Sequence, residues 1–209
     1  MSWVKDKKKY EAIAASIEPA AKLTTKDSWF WTALWVLMLI GVTLISVGIG
    51  TYFFLKKMGK KTFLERYATT IGPLQGYARR MLALSKRLLV HECRHVYQAI
   101  IAALFVPVLG WLPWRRWRAW VGLLPMFLVY IALPFPVGIC YGRYRLELDA
   151  DYTAWKWQLA NGYTPQQVRD HAAARVLKVS GGQYGWAWPR PLVRRGYTKL
   201  SERAIAAAA

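Results

Sequence analysis

LLVHECRHVYQAIIAALF (residues 88–105) is the stretch on which the reading of this chain turns. It holds no glycine or proline up to Phe105. Together with the preceding ARRMLALSKR (residues 78–87) it predicts one long helix over residues 77–105. In its middle stands His91-Glu92-Cys93-Arg94-His95. Positions i and i+4 of a helix share a face, so both imidazoles can turn to one metal ion. Glu92, beside the first of them, is placed to take a proton from a water that attacks a carbonyl there. The chain has only 3 histidines, and at that frequency H-E-x-x-H arises by chance in roughly one such chain in several hundred. The plain alternative, a solvated helix with two exposed histidines, fits so apolar and basic a segment poorly.

A third protein ligand has to come from elsewhere. The remaining histidine, His171, is not at the short spacing beyond His95 that a third histidine ligand takes in related motifs. Glu147-Leu148-Asp149-Ala150-Asp151 is the better candidate, on a second helix read over residues 141–161. Glu147 and Asp151 are again i and i+4. Glu147 can bind the ion while Asp151 accepts a hydrogen bond from the outer nitrogen of a ligating histidine. Asp149 turns off that face, and Ala150 and Ala154 leave room for close helix packing. These acids could instead be ordinary partners of Arg143 and Arg145. With only 11 acidic residues in the chain, three so close together make that less attractive. Two imidazoles, one carboxylate and an open fourth position favour zinc. For charge developing on a substrate carbonyl, His171, Tyr152, Arg143 and Arg145 are candidates, with His171 carried as a second catalytic residue beside Glu92. Gln98, two turns after His91, either lines the site or caps a buried polar group.

Outside these helices the composition is that of a membrane protein. The chain has 209 residues, 55% of them hydrophobic, with 12 tryptophans and 12 tyrosines. Trp and Tyr collect where an apolar ring and a polar tip both find a home, at the membrane–water boundary. The formal net charge of +19, from 30 Lys+Arg against 11 Asp+Glu, predicts attraction to anionic surfaces. Residues 29–55, WFWTALWVLMLIGVTLISVGIGTYFFL, carry no charge and have aromatic residues at both ends. They exceed the roughly 20 residues that cross a bilayer core, and are expected to form a transmembrane helix. Lys56, Lys57, Lys60, Lys61 and Arg66 follow it closely, which by the positive-inside rule puts the following part of the chain on the cytoplasmic side. The apolar run starts too late, and lacks a following small-residue cleavage site, for a secretory signal to be expected at the N-terminus. Cys93 and Cys140 are expected to be buried free thiols rather than a disulfide framework.

A second apolar region runs from Ala99 to Cys140, interrupted by WRRWR at residues 114–118 and by several prolines. It is read as re-entrant or partly inserted, with WRRWR at the headgroups; the alternatives are full spans or a covered core loop. In the polar first 28 residues, Ala12 to Ile17 can form a short helix that stops before Pro19. Asn161-Gly162 ends the second motif helix. Thr164-Pro165-Gln166-Gln167 opens another, with a capping box, that runs to about Val179. There is no internal repeat. The fold class is mainly α: an N-terminal transmembrane helix, then a small helical metallopeptidase-like domain. The expected divisions are 1–28, a basic polar segment; 29–55, the span; 56–180, the domain; and 181–209, a basic tail containing Trp, Gly and Pro, with AIAAAA featureless near its end.

H-E-x-x-H followed downstream by E-x-x-x-D, here E-L-D-A-D, resembles the gluzincin pattern of the integral-membrane CAAX prenyl proteases and their bacterial heat-shock relatives. V-H-E-C-R-H-V-Y-Q is also similar to small peptidases that carry H-E-x-x-H-x-x-Q. The resemblance covers the first motif helix through the second and does not extend to the multi-span architecture of the prenyl proteases. It implies a zinc site of His91, His95 and Glu147 on two crossing helices.

The expected function is therefore a membrane-anchored, zinc-dependent endopeptidase. Its partners would be a bilayer with anionic headgroups and a peptide or protein substrate. The competing reading is a non-catalytic cationic membrane protein, such as a viral or phage assembly component, with a structural or vestigial metal site. Nucleic acid as main partner rests on charge alone, without a recognisable binding motif.

Overall fold

In a computed structural model, which describes residues 3–45, 68–77, 85–132, 140–181 and 188–208, the chain is mainly helical with one small sheet. A 3₁₀ turn (Trp3–Asp6) leads into α1 (Lys7–Ile17), which starts earlier than the sequence predicted and ends ahead of Pro19. The strand β1 (Lys22–Thr25) follows, then α2 (Trp29–Ile45). Among the described residues no helix is long and apolar enough to cross a membrane. α2 has 17 residues, and residues 46–55 of the expected span lie outside the described ones.

The expectation of a helix from residue 77 is corrected. β2 (Thr69–Ile71) and β3 (Leu74–Tyr77) form a hairpin, so Tyr77 closes a strand. The helix is described from Lys86, and residues 78–84 lie outside the described ones. β3 is the middle strand, antiparallel to β2 and parallel to β1, in register Leu23↔Gln75 and Thr24↔Gly76. These strands are three or four residues long. Runs so short give alternation of apolar and polar residues no room to show, and β1 pairs with β3 far along the chain.

The motif helix, α3 (Lys86–Ala102), has two buried faces. Leu89, Cys93, Val96 and Ile100, at i, i+4, i+7 and i+11, pack with Ala14 of α1, Leu23 of β1 and Tyr77 of β3 in the first hydrophobic core. His91, His95 and Gln98 fall on the other stripe and are also buried. Past Ala102 the chain breaks into two 3₁₀ turns (Ala103–Phe105 and Leu109–Trp111), a short α4 (Arg115–Val121) and α5 (Leu123–Ala132). α4 is pressed against α3 at Gly122: a Cβ there would stand 1.7 Å from the carbonyl oxygen of Ala99, so no larger residue fits.

α6 (Tyr141–Ala160) crosses α3, and α7 (Pro165–Val179) and α8 (Arg190–Ala206) pack behind it. Gly162, with φ of 82°, takes the left-handed turn that ends α6. Thr164 accepts from the backbone N–H of Gln167, whose side chain in turn accepts from the Thr164 N–H, completing the capping box. Tyr144, Leu148 and Trp155 of α6 meet Val168 and Val176 of α7 and Val193 and Tyr197 of α8 in a second core. The segment expected to be a basic tail containing Trp, Gly and Pro thus supplies a packed helix. Val193, Tyr197, Ser201 and Ala204, spaced three or four apart, are its buried face, a periodicity hidden among five basic residues. Cys93 and Cys140 are both buried and free, as expected.

Candidate metal centre

α3 and α6 meet along their polar stripes rather than their apolar ones. Ala150 and Ala154 of α6 are fully buried. His91, His95 and Glu147 then converge, all three buried. The Nε2 atoms of His91 and His95 lie 3.2 Å apart. Glu147 Oε2 is 3.3 Å from His91 Nε2, and its Oε1 is 3.8 Å from His95 Nε2. A tetrahedral ion with bonds of about 2.0–2.1 Å sets neighbouring ligand atoms roughly 3.3 Å apart. Two of the separations, 3.2 and 3.3 Å, match such an edge, while the third, made by the other Glu147 oxygen, is longer at 3.8 Å. Two imidazole nitrogens facing each other this closely also need a cation or a proton between them.

The outer nitrogens are held as well. His91 Nδ1 is 3.0 Å from Asp151 Oδ1, and His95 Nδ1 is 2.8 Å from the side-chain oxygen of Gln98. Such contacts hold the Nδ1 side of each ring outward, so that Nε2 points inward. Gln98 is fixed in turn, its amide donating to the Leu146 carbonyl (2.9 Å) and to Asp149 Oδ2 (2.8 Å). Asp149 does turn off the metal face: it accepts two bonds from Arg94, at 2.7 and 3.0 Å, locking α3 to α6.

Arg175 of α7 was not singled out by sequence. Its Nε donates to Asp151 Oδ2 (2.6 Å) and its Nη2 to Glu147 Oε2 (2.8 Å). Tyr197 of α8 adds a hydrogen bond to Asp151 Oδ2 at 2.8 Å. Three helices beyond α3 therefore share one set of carboxylates. The only signal for Arg175 is that it stands among hydrophobic neighbours on a helix one face of which is buried.

Burial opposes charge on these groups, and their neighbours overcome it. Burial alone lowers the His91 pKa, but the Asp151 and Glu147 carboxylates raise it to about 9. Burial raises Glu147, yet His91, His95 and Arg175 hold it down at about 2. Asp151 is held well below the ordinary carboxylate range by Arg175 and His91, again against burial. The centre is thus a buried cluster in which acids stay ionised at neutral pH, as a cation site requires.

Glu92 is buried on the sheet side of α3 and accepts a 2.6 Å hydrogen bond from the Thr70 hydroxyl of β2. Lys26, buried just past β1, donates to Thr69 and feels the Glu92 charge; burial lowers its pKa to about 7, with Glu92 acting in the opposite sense. Of the expected residues, His91, His95, Glu147 and Asp151 come together. His171 sits one turn before Arg175, its Nδ1 against the Gln158 side-chain amide, outside the ligand cluster. Arg145 is exposed over the Tyr141 ring, and the Tyr152 ring lies under Lys156. Comparison with protein-family models, characterised proteins and solved structures gives no match, so the centre is read from its own geometry.

Proposed function

We propose that this chain is a membrane-anchored, zinc-dependent endopeptidase. The observation that carries the reading is the pairing of inward and outward contacts. Both Nε2 atoms and Glu147 face one point, while Asp151 and Gln98 take the outer nitrogens. An ion shared by the three residues would account for donors brought this close. Zinc, held by His91, His95 and Glu147, supplies Lewis acidity that lowers the pKa of a water and polarises a carbonyl.

The chain's own residues do the rest. Thr70 engages Oε2 of Glu92, which directs proton transfer to Oε1. Glu92 takes a proton from the attacking water and passes it to the leaving amine. Arg175 keeps Glu147 and Asp151 ionised and oriented, and through them the two imidazoles. The protein stays at the bilayer through residues 29–55, with the centre on the cytoplasmic side.

The test is metal content and cleavage in detergent-purified protein. The wild type is expected to hold about one zinc per chain and to cleave a mixed peptide library. His95→Ala and Glu147→Ala should lose the metal. Glu92→Gln should keep it and lose cleavage, because an amide cannot accept the proton. A wild type that takes up no zinc on reconstitution would refute the reading. Zinc without cleavage would leave the site structural and the cationic, non-catalytic alternative in its place.

A further inference from the structure

Most of the exposed large apolar side chains among the described residues fall between Ile101 and Leu128, at the end of α3 and along α4 and α5. Phe105 is 82% exposed, Val108 78%, Trp111 70% and Trp114 67%. A patch of this kind on one part of a protein marks a surface that something covers. Its tip is also built under strain. Val108 has φ of 63° and ψ of −64°, closed by a bond from the Leu109 N–H to the Pro107 carbonyl. That is a γ-turn of the rare hand, unfavourable for a β-branched residue. It leaves the Val108 side chain facing solvent.

The base, by contrast, is rigid. Gly110 and Gly122 let the backbone of this region pack directly on Ala103 and Ala99. Arg115 grips the buried Glu18 with two bonds, at 3.1 and 2.6 Å, tying the start of α4 to the α1–β1 connection. Charge then decides what covers the tip. Residues 101–128 hold three arginines and no acidic residue, and with Arg115 taken by Glu18 it is Arg116 and Arg118 that give the patch its positive charge. A second copy docked through the same patch would bring arginines against arginines. An anionic bilayer meets the arginines with phosphates and the Trp and Phe rings with the acyl boundary.

We propose that residues 101–128 form a wedge that inserts into the headgroup layer of an anionic membrane and fixes the height of the metal centre above it. Phe105 lies ten residues beyond His95, or about 15 Å along the helix axis. Insertion by about 5–10 Å keeps the centre only about one peptide diameter above the lipid. The substrates it presents to that centre are peptide segments at the membrane surface. This last step rests on the peptidase reading; the wedge itself does not.

The test uses full-length protein in vesicles of phosphatidylcholine and phosphatidylglycerol in a roughly 7:3 ratio, anionic enough to attract basic segments. An environment-sensitive fluorophore is attached to V108C or, for control, to Q166C on α7. The V108C label should be blue-shifted and quenched severalfold by a headgroup-level nitroxide lipid, with the Q166C label unaffected. Equal access of both labels to a water-soluble quencher would overturn the wedge. So would a V108C label shielded from water but untouched by the lipid quencher, since protein would then be the cover. In the same vesicles, Phe105→Asp with Trp111→Asp should lower cleavage of a bilayer-tethered peptide about tenfold, a change of about 1.4 kcal/mol. Cleavage of the same peptide free in solution, and zinc content, should not change. Equal loss on both peptides would overturn the height-setting role. A wild type that cleaves neither peptide would remove the peptidase reading while the label data still decide the wedge.

Discussion

Asp151 is fully buried yet stays ionised, because His91, Arg175 and Tyr197 all approach it. Its role in the centre is to hold one imidazole by the nitrogen that does not face the ion. Asp151→Asn keeps the shape but removes the charge that favours this orientation. Zinc affinity, measured by competition with a coloured chelator, should fall about 10–100-fold. Unchanged affinity would mean that His91 is oriented by packing alone. Arg175→Met poses the complementary question. It leaves two buried carboxylates without their cation and should cost about 3–5 kcal/mol in metal-free protein, read from denaturant unfolding. Lys26 gives a pH signature distinct from the centre. Its pKa falls from 10.5 to about 7 on folding, so between those values the unfolded chain binds more protons. Stability should therefore rise with pH from about 7 towards 10.5. Lys26→Met should flatten that part of the profile, and an identical slope in the variant would refute the assignment.

At the scale of elements, the pieces are joined in two ways. α3 and α4 touch backbone to backbone at Gly122. Gly122→Ala should therefore force them apart, at about 1–3 kcal/mol by thermal unfolding. α7 is begun by a complete capping box on exposed residues remote from the metal ligands. Thr164→Ala should cost about 1 kcal/mol and leave zinc content untouched. If zinc affinity also fell, the start of α7 would be setting the position of Arg175. That helix could be read from its cap signals, and α6 from its Asn161-Gly162 stop, because both signals are local. The strands could not, because three or four residues are too few for alternation to show, and β1 finds its partner β3 far along the chain.

Across the whole molecule, the candidate metal ligands come from helices that close two hydrophobic cores. His91 and His95 belong to the helix that closes the first, with α1 and the sheet, and Glu147 to the helix that closes the second, with α7 and α8. An ion held by all three ties the cores together and binds only the folded chain. With free zinc at about 100 times its dissociation constant, folding should gain about 2.7 kcal/mol. The thermal midpoint should rise with zinc in the wild type and not in His95→Ala. A midpoint indifferent to zinc would mean that the two faces do not close on an ion in solution.

The sequence by itself determined which residues could bind a metal, since i, i+4 spacing on a helix fixes a shared face whatever surrounds it. It also determined the helical character of the chain and the apolar run at 29–55. It chose Glu147 over other acids through the same spacing, and it left Gln98 with two roles, both of which the folded chain assigns to it. Only the tertiary structure decided that β2 brings Thr70 to Glu92, that Arg175 and Tyr197 meet the carboxylates, and that the basic C-terminal segment is a packed helix. Those contacts join residues 22 to 46 positions apart. Their partners are chosen by how helices and strands pack, which no local periodicity records.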